Sequence, residues 1–225
     1  MTGDLDFYIS SRELCHIKAG PFFLCYTKKM KIIKINQKNF QKIVKIIERS
    51  IKQGKIMVLP TDTVYGLVCD ATNKKAVGKL FKIKKRPKNK PIPIFVKDIK
   101  IVKKIAKIDK TKEKILKSVW PGKTTVVLNR KGETKLYGVD KKTIALRIPK
   151  YKLINELLKR LNLPFTGTSA NISDRPASTK IRQVIDQFKK EKIQPDLIID
   201  AGNLPKNKPS TVIDLTISLP KILRI

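Results

Sequence analysis

Residues 55–67, KIMVLPTDTVYGL, change character twice within a short span. Ile56, Met57, Val58 and Leu59 form an apolar run with the length and composition of a buried strand. Pro60 ends it, because proline brings no N–H to a sheet ladder. Thr61, Asp62 and Thr63 then set three short polar side chains together, before Val64, Tyr65, Gly66 and Leu67 turn apolar again. Polar residues at the end of a strand are where open α/β sheets place ligand contacts. The same triplet suits an ordinary helix cap, in which Thr or Asp accepts from free backbone N–H groups. Taken alone the triplet favours the cap; the segments around it decide.

Working outward, residues 31–35 read as a strand. Residues 39–53 read as an amphipathic helix, with Phe40, Ile43, Val44, Ile47 and Ile51 at helical spacing and Gly54 closing it. A second helix is expected over 73–84, with Ala76, Val77, Leu80 and Phe81 on one face. Residues 92–96 form a strand interrupted by Pro93, and 99–106 and 111–119 are helical. Trp120-Pro121-Gly122 is a turn. Strands follow at 124–129 and 143–148, a helix at 152–161 and a strand or loop at 165–170. A helix over 180–188 has Thr179 as a candidate N-cap, and the last strands are 197–200, 210–215 and 221–225. With no repeat or linker, this alternation implies one α/β domain over residues 31–225, built on a mixed sheet with flanking helices.

Residues 1–29 differ. They carry Cys15, Cys25 and the only histidine, His16, with little periodicity. A weakly ordered N-terminal extension is expected there, with Met30 as a candidate start. The three cysteines form neither a CxxC pair nor a His/Cys cluster, which argues against a disulfide framework or a zinc site and for a reducing cytoplasm. No apolar run approaches the length of a membrane helix. A lone His16 excludes a Ser-His-Asp system, and neither a P-loop nor a dinucleotide fingerprint is present.

The formal net charge is +33, from 51 Lys+Arg against 18 Asp+Glu. That excess attracts polyanions such as RNA, although most of the cations are lysines that could simply solvate the surface. Four segments concentrate chemistry. Lys84-Lys85-Arg86-Pro87, extended through Lys90, is a basic loop stiffened by Pro87 and Pro91, and arginine's planar fork suits phosphate oxygens. Thr166-Gly167-Thr168-Ser169-Ala170-Asn171 offers small hydroxyls and an amide that a ligand can approach closely. Arg147 ends the apolar strand TIALR and requires an anion, either a protein carboxylate or a ligand's. Ser210-Thr211 places another hydroxyl pair at a strand entrance, with Arg224 on the next strand. No side chain stands out as a base, so chemistry here would rest on orientation and charge neutralisation.

In order and spacing, PTDTVYGL (60–67), KKRPKNKPIPIFV (84–96), WPGKTTVVL (120–128), ALRIP (145–149), TSANIS (168–173) and STVID (210–214) resemble the YrdC/TsaC family, the L-threonylcarbamoyladenylate synthases. The resemblance implies a twisted, open mixed sheet around a basic concave cavity. It implies formation of threonylcarbamoyl-AMP and pyrophosphate from L-threonine, bicarbonate and ATP with Mg²⁺. Downstream threonylcarbamoyl-transferase proteins would then modify tRNA. By motif, Lys84, Arg86, Ser169 and Asn171 are the implied catalytic set. Thr63, Phe95, Arg147, Ser169 and Ser210 would meet threonine. Lys84, Arg86, Lys90, Thr143, Asn171, Thr179 and Arg224 would meet ATP. Many relatives have Asn at position 90, His at 95, Gly at 174 and Pro at 123, where this chain has Lys90, Phe95, Asp174 and Lys123. The chain is similar to the single-domain type. The alternative is a non-catalytic protein of the same fold that binds tRNA or double-stranded RNA.

Overall fold

The computed structural model describes residues 30–132 and 134–225, so the expected N-terminal extension lies outside the described residues. The chain runs β1 (Lys31–Lys34), α1 (Phe40–Lys52), β2 (Met57–Leu59), β3 (Gly66–Val68), α2 (Lys74–Lys84), β4 (Ile94–Phe95), α3 (Ile99–Ile105) and α4 (Lys110–Val119). It continues through β5 (Thr124–Asn129), β6 (Thr143–Arg147), α5 (Lys152–Leu161), β7 (Phe165–Thr166), β8 (Thr168–Ser169), α6 (Ile181–Phe188), β9 (Leu197–Asp200), β10 (Thr211–Asp214) and β11 (Lys221–Arg224).

The α/β class and the open, mixed pairing are as expected, with the strands divided between two sheets. One sheet has the order β1-β9-β2-β3-β8, the other β11-β10-β5-β6-β4-β7. In the first, β9 lies parallel to both β1 and β2, while β3 runs antiparallel to β2 and β8. Side-chain alternation along these strands feeds two cores. Met57 and Leu59 of β2 and Leu197 and Ile199 of β9 face α1 and α5, meeting Ile43, Ile47, Leu153 and Leu157. Ile56, Val58 and Ile198 face the opposite side, meeting Leu80 and Phe81 of α2 and Val184 and Phe188 of α6. Helices cover both faces, which is why this central run reads as continuously apolar.

The second sheet is covered on one face only. Val126 and Leu128 of β5, Ile144 and Leu146 of β6 and Ile94 of β4 pack with Val102, Ile105 and Leu116 of α3 and α4. The alternate residues Thr125, Ala145, Arg147, Phe95 and Val212 turn to the other face and line a cavity. The sheet's alternation therefore sorts its residues into core and site.

Three local expectations change. Residues 66–68 form β3, a strand absent from the sequence reading, so the Thr61–Asp62–Thr63 triplet lies in a strand-to-strand turn and not at a helix N-terminus. Residues 165–170 form two short strands, one in each sheet, and the chain crosses between the sheets at Gly167. Thr179 does not cap α6. Its N-cap is Lys180, which makes no side-chain cap bond; the Lys180 N–H donates instead to Ser178 Oγ at 2.9 Å. Among the described residues, no helix is long and apolar enough to cross a membrane.

Candidate active site

The cavity has a volume of about 320 Å³ and lies where the two sheets meet. The triplet loop and β8 contribute Thr61, Thr63 and Ser169 from one sheet; β4, β6 and β11 contribute Phe95, Arg147 and Arg224 from the other. The loop after α2 adds Lys84, Arg86 and Lys90, so five cations line the wall. Of the twelve residues expected at the site, ten line this cavity: Thr63, Lys84, Arg86, Lys90, Phe95, Arg147, Ser169, Asn171, Ser210 and Arg224. Thr143 and Thr179 do not. Thr143 shares the face of β6 that carries Ala145 and Arg147 but lies farther along the strand, where its N–H and Oγ1 bond Asp140. Thr179 sits in the loop before α6, with its carbonyl accepting from Leu204.

At one end, Arg147 is held on three sides. Its Nε donates to the Gly122 carbonyl at 2.9 Å, Nη1 to Thr63 Oγ1 at 3.2 Å and Nη2 to Asp62 Oδ1 at 2.7 Å. The anion that Arg147 requires is thus a protein carboxylate. The pair is nearly sealed, with side chains 4% and 8% exposed, so both charges depend on it. Burial lowers the Arg147 pKa, and the Asp62 charge works against that shift. Asp62 Oδ2 also accepts from the Lys150 N–H at 2.9 Å, which ties the turn to the segment after β6. A guanidinium has five N–H groups, so two remain for a ligand.

The hydroxyls here have definite directions. Thr61 Oγ1 donates to the Val64 carbonyl at 2.7 Å, so the 3.1 Å contact with Thr63 has Thr63 as donor. Thr63 accepts from Arg147 and keeps one lone pair, which can meet only a donor such as an ammonium or amide N–H. Ser210 Oγ lies 2.9 Å from Thr125 Oγ1 and accepts from Arg224 Nη2 at 3.1 Å; Arg224 also donates to the Ser210 carbonyl from Nε and Nη2. Phe95 forms the apolar wall, its ring centroid 5.7 Å from the Arg147 guanidinium carbon.

Gly167 fixes that ring. A Cβ on Gly167 would fall 2.5 Å from Phe95 Cδ1 and Cε1, closer than any tolerated contact. Gly167→Ala is therefore expected to displace Phe95, lowering thermal stability by several degrees through overpacking of about 1–3 kcal/mol and weakening ligand binding at Arg147. Calorimetric melting and ligand titration on the one variant measure both effects.

At the other end, Lys84 is buried and anchored. Its Nζ donates to the Ser169 carbonyl at 2.8 Å, the Asn171 carbonyl at 3.0 Å and Asn171 Oδ1 at 2.8 Å, with Ser169 Oγ at 3.5 Å. Three short contacts use all three ammonium protons. Desolvation, assisted by the nearby Arg86 charge, pushes its pKa down to about 7. Asn171 is equally engaged. Its Oδ1 accepts from Lys84 and from Ser169 Oγ at 2.6 Å, and its Nδ2 donates to the carbonyls of Ile172 and Arg175. The K-x-R and S-x-N segments are thus one closed network. Arg86 stays half-exposed at its edge, with Nε on the Lys90 carbonyl at 2.9 Å and Nη2 on the Pro91 carbonyl at 3.0 Å, leaving N–H groups for an anion. Among the described residues, no group of three or more His, Cys, Asp or Glu side chains could hold a metal ion.

Two residues outside the expected set matter. Asp62 orients Arg147 from 85 positions away, a pairing that no local pattern encodes. Ser173 lines the cavity with a buried Oγ that has no hydrogen-bond partner among the described residues; its place in the TSANIS stretch is the only sequence signal for it.

A mixed α/β protein with a cation-lined cavity between two open sheets is the class these features define. Residues 49–225 match the Sua5/YciO/YrdC family, described as telomere recombination, and the chain belongs to that family. A relative from Methanocaldococcus jannaschii is 36% identical over 190 residues, covering 84% of this chain and 87% of the relative. A threonylcarbamoyl-AMP synthase of Pyrococcus abyssi is 34% identical over 197 residues, 86% of this chain and 56% of that protein. The crystal structure of P. abyssi Sua5 complexed with L-threonine superposes with a TM-score of 0.76 at 33% identity, covering 86% of this chain and 56% of that one. The chain thus spans most of the M. jannaschii relative and little more than half of the P. abyssi protein.

Proposed function

We propose that this chain is an L-threonylcarbamoyladenylate synthase, which converts L-threonine, bicarbonate and ATP to threonylcarbamoyl-AMP, pyrophosphate and water. The observation that carries the reading is the two-ended cavity, supported by the naming of the P. abyssi relative and the threonine complex of its Sua5. The two free N–H groups of Arg147 receive the threonine carboxylate. The Thr63 lone pair takes an N–H of the substrate nitrogen, which is still present after bicarbonate has made it a carbamate. That lone pair fixes which way the nitrogen faces. The carbamate oxygen attacks the α-phosphorus and pyrophosphate departs toward Arg86 and Lys90, whose charges lower the barrier as negative charge moves outward. Lys84 adds its charge through space while its protons hold Ser169 and Asn171 in place. The nucleoside end of ATP is proposed to extend past Ala145 toward Thr143, which shares that face of β6 outside the cavity lining.

Magnesium is proposed to enter on ATP, where it neutralises phosphate charge and keeps most of its waters. Downstream transferases then carry the threonylcarbamoyl group to tRNA. The +33 charge suits such a handover in the cytoplasm.

The test is pyrophosphate release with all three substrates and Mg²⁺. Release that depends on both threonine and bicarbonate is expected. Release independent of threonine, or none at all beside salt-sensitive RNA binding, would overturn the reading, the latter in favour of the RNA-binding alternative.

A pH effect follows from Lys84. A bound triphosphate favours the ammonium and raises its pKa from about 7. Between pH 7 and 8.5, binding should therefore take up part of a proton, and affinity should fall as pH rises. Calorimetry in buffers of different ionisation enthalpy measures the uptake, which Lys84→Met should abolish.

A further inference from the structure

We infer that Asp174 and Ser173 form a metal-and-phosphate subsite at the polyanion end of the cavity, with the Asp174 carboxylate facing the magnesium ion of the bound nucleotide. This rests on the ATP reading above. Among the described residues that line the cavity, Asp174 is the sole carboxylate, set among five cations. It is exposed, and its charge acts on Arg86 through space, raising the Arg86 pKa against the effect of burial. Arg86 does not close on it: the bonds from Nε and Nη2 go to the Lys90 and Pro91 carbonyls.

A carboxylate in a triphosphate site presents a physical conflict. Like charges repel, so Asp174 alone would weaken nucleotide binding. A divalent cation between carboxylate and phosphate converts that repulsion into attraction. Magnesium is held in this way, by one or two carboxylates together with substrate phosphates, most of its waters being retained. One carboxylate therefore suffices, and no cluster is needed.

The backbone fits the role. Asp174 has φ 65°, the left-handed region that Asp tolerates better than most residues. The neighbouring Ser173 N–H donates to the Lys84 carbonyl at 2.8 Å, so the pair is pinned to the end of α2 beside the basic loop. Ser173 supplies an independent observation. Its Oγ is buried without a hydrogen-bond partner among the described residues, an unfavourable arrangement for a hydroxyl. A phosphate oxygen, or a water of the metal, completes that hydroxyl.

The experiment measures ATP affinity by calorimetry with excess EDTA and with excess Mg²⁺, for the wild-type chain, Asp174→Asn and Asp174→Gly. Both substitutions accept a positive φ, and thermal melting verifies their folding. The wild type should bind ATP at least tenfold more tightly with Mg²⁺. Both variants should bind metal-free ATP more tightly than wild type, because the repulsion is gone, and their Mg²⁺ enhancement should shrink to about twofold. Ser173→Ala should weaken binding several-fold under both conditions. As a readout independent of turnover, the Mn²⁺–ATP complex should give a paramagnetic resonance spectrum in wild type that differs from that in Asp174→Asn. If the variants keep the wild-type Mg²⁺ enhancement, or give the same Mn²⁺ spectrum, the subsite is refuted while the ATP reading stands. If the wild type binds ATP under neither condition, both fall.

Discussion

Arg147→Ala should raise the threonine requirement about 100-fold or more and should also lower stability. Two effects combine. The variant removes the donors that would receive the substrate carboxylate, and truncating one partner of a buried, hydrogen-bonded charge pair costs about 2–5 kcal/mol in binding. It also leaves Asp62, 8% exposed, without its 2.7 Å partner, and an uncompensated buried charge costs about 3–5 kcal/mol of folding stability. The two effects separate in a double variant. Asp62→Asn combined with Arg147→Ala should recover much of the melting temperature, because the stranded charge is gone, while the threonine KM stays high. Steady-state kinetics over a threonine series, with calorimetric melting on both proteins, measures this. A double variant that regained threonine affinity would contradict the assignment of Arg147.

Lys84→Met should reduce kcat about 10²–10³-fold and lower the melting temperature together. Its three protons are shared among the Ser169 carbonyl, the Asn171 carbonyl and Asn171 Oδ1. Methionine fills similar space with no donor, so those oxygens lose their partner at about 1–3 kcal/mol for each one left buried. The S-x-N segment then loses its anchor, and catalysis loses both the charge and the geometry. Arg86→Ala gives the contrast. Arg86 is half-exposed and bonds only backbone carbonyls of its own loop, so its loss should reduce kcat by a comparable factor with the melting temperature nearly unchanged. Equal melting temperatures for the two variants would show that Lys84 is not the anchor described.

These residues also show what the sequence could reveal. Lys84, Arg86, Ser169 and Asn171 were legible because each pair sits in one short segment of unusual composition. Arg147 was legible as a cation on an apolar strand, and its need for an anion followed from burial alone. The identity of that anion was not legible, since Asp62 lies in a turn of one sheet and Arg147 on a strand of the other. The helices were readable from apolar spacing, and all six are present within a residue or two at either end. The division into two sheets was hidden, because strands as short as β4, β7 and β8 carry too few residues to display alternation. Gly167 likewise reads as part of a flexible loop until Phe95 is seen against it. Thr143 and Thr179 are assigned to the nucleotide by motif alone, and neither is among the residues that line the cavity.

The central claim is that one cavity receives an amino acid at Arg147 and a triphosphate at Arg86, close enough to react. The most direct measurement is a crystal structure with L-threonine and a non-hydrolysable ATP analogue bound together. The threonine carboxylate should lie on the free Arg147 N–H groups with its nitrogen toward Thr63, and the triphosphate should run along Arg86 and Lys90. Either ligand bound outside the cavity, or threonine reversed with its nitrogen toward Arg147, would contradict it.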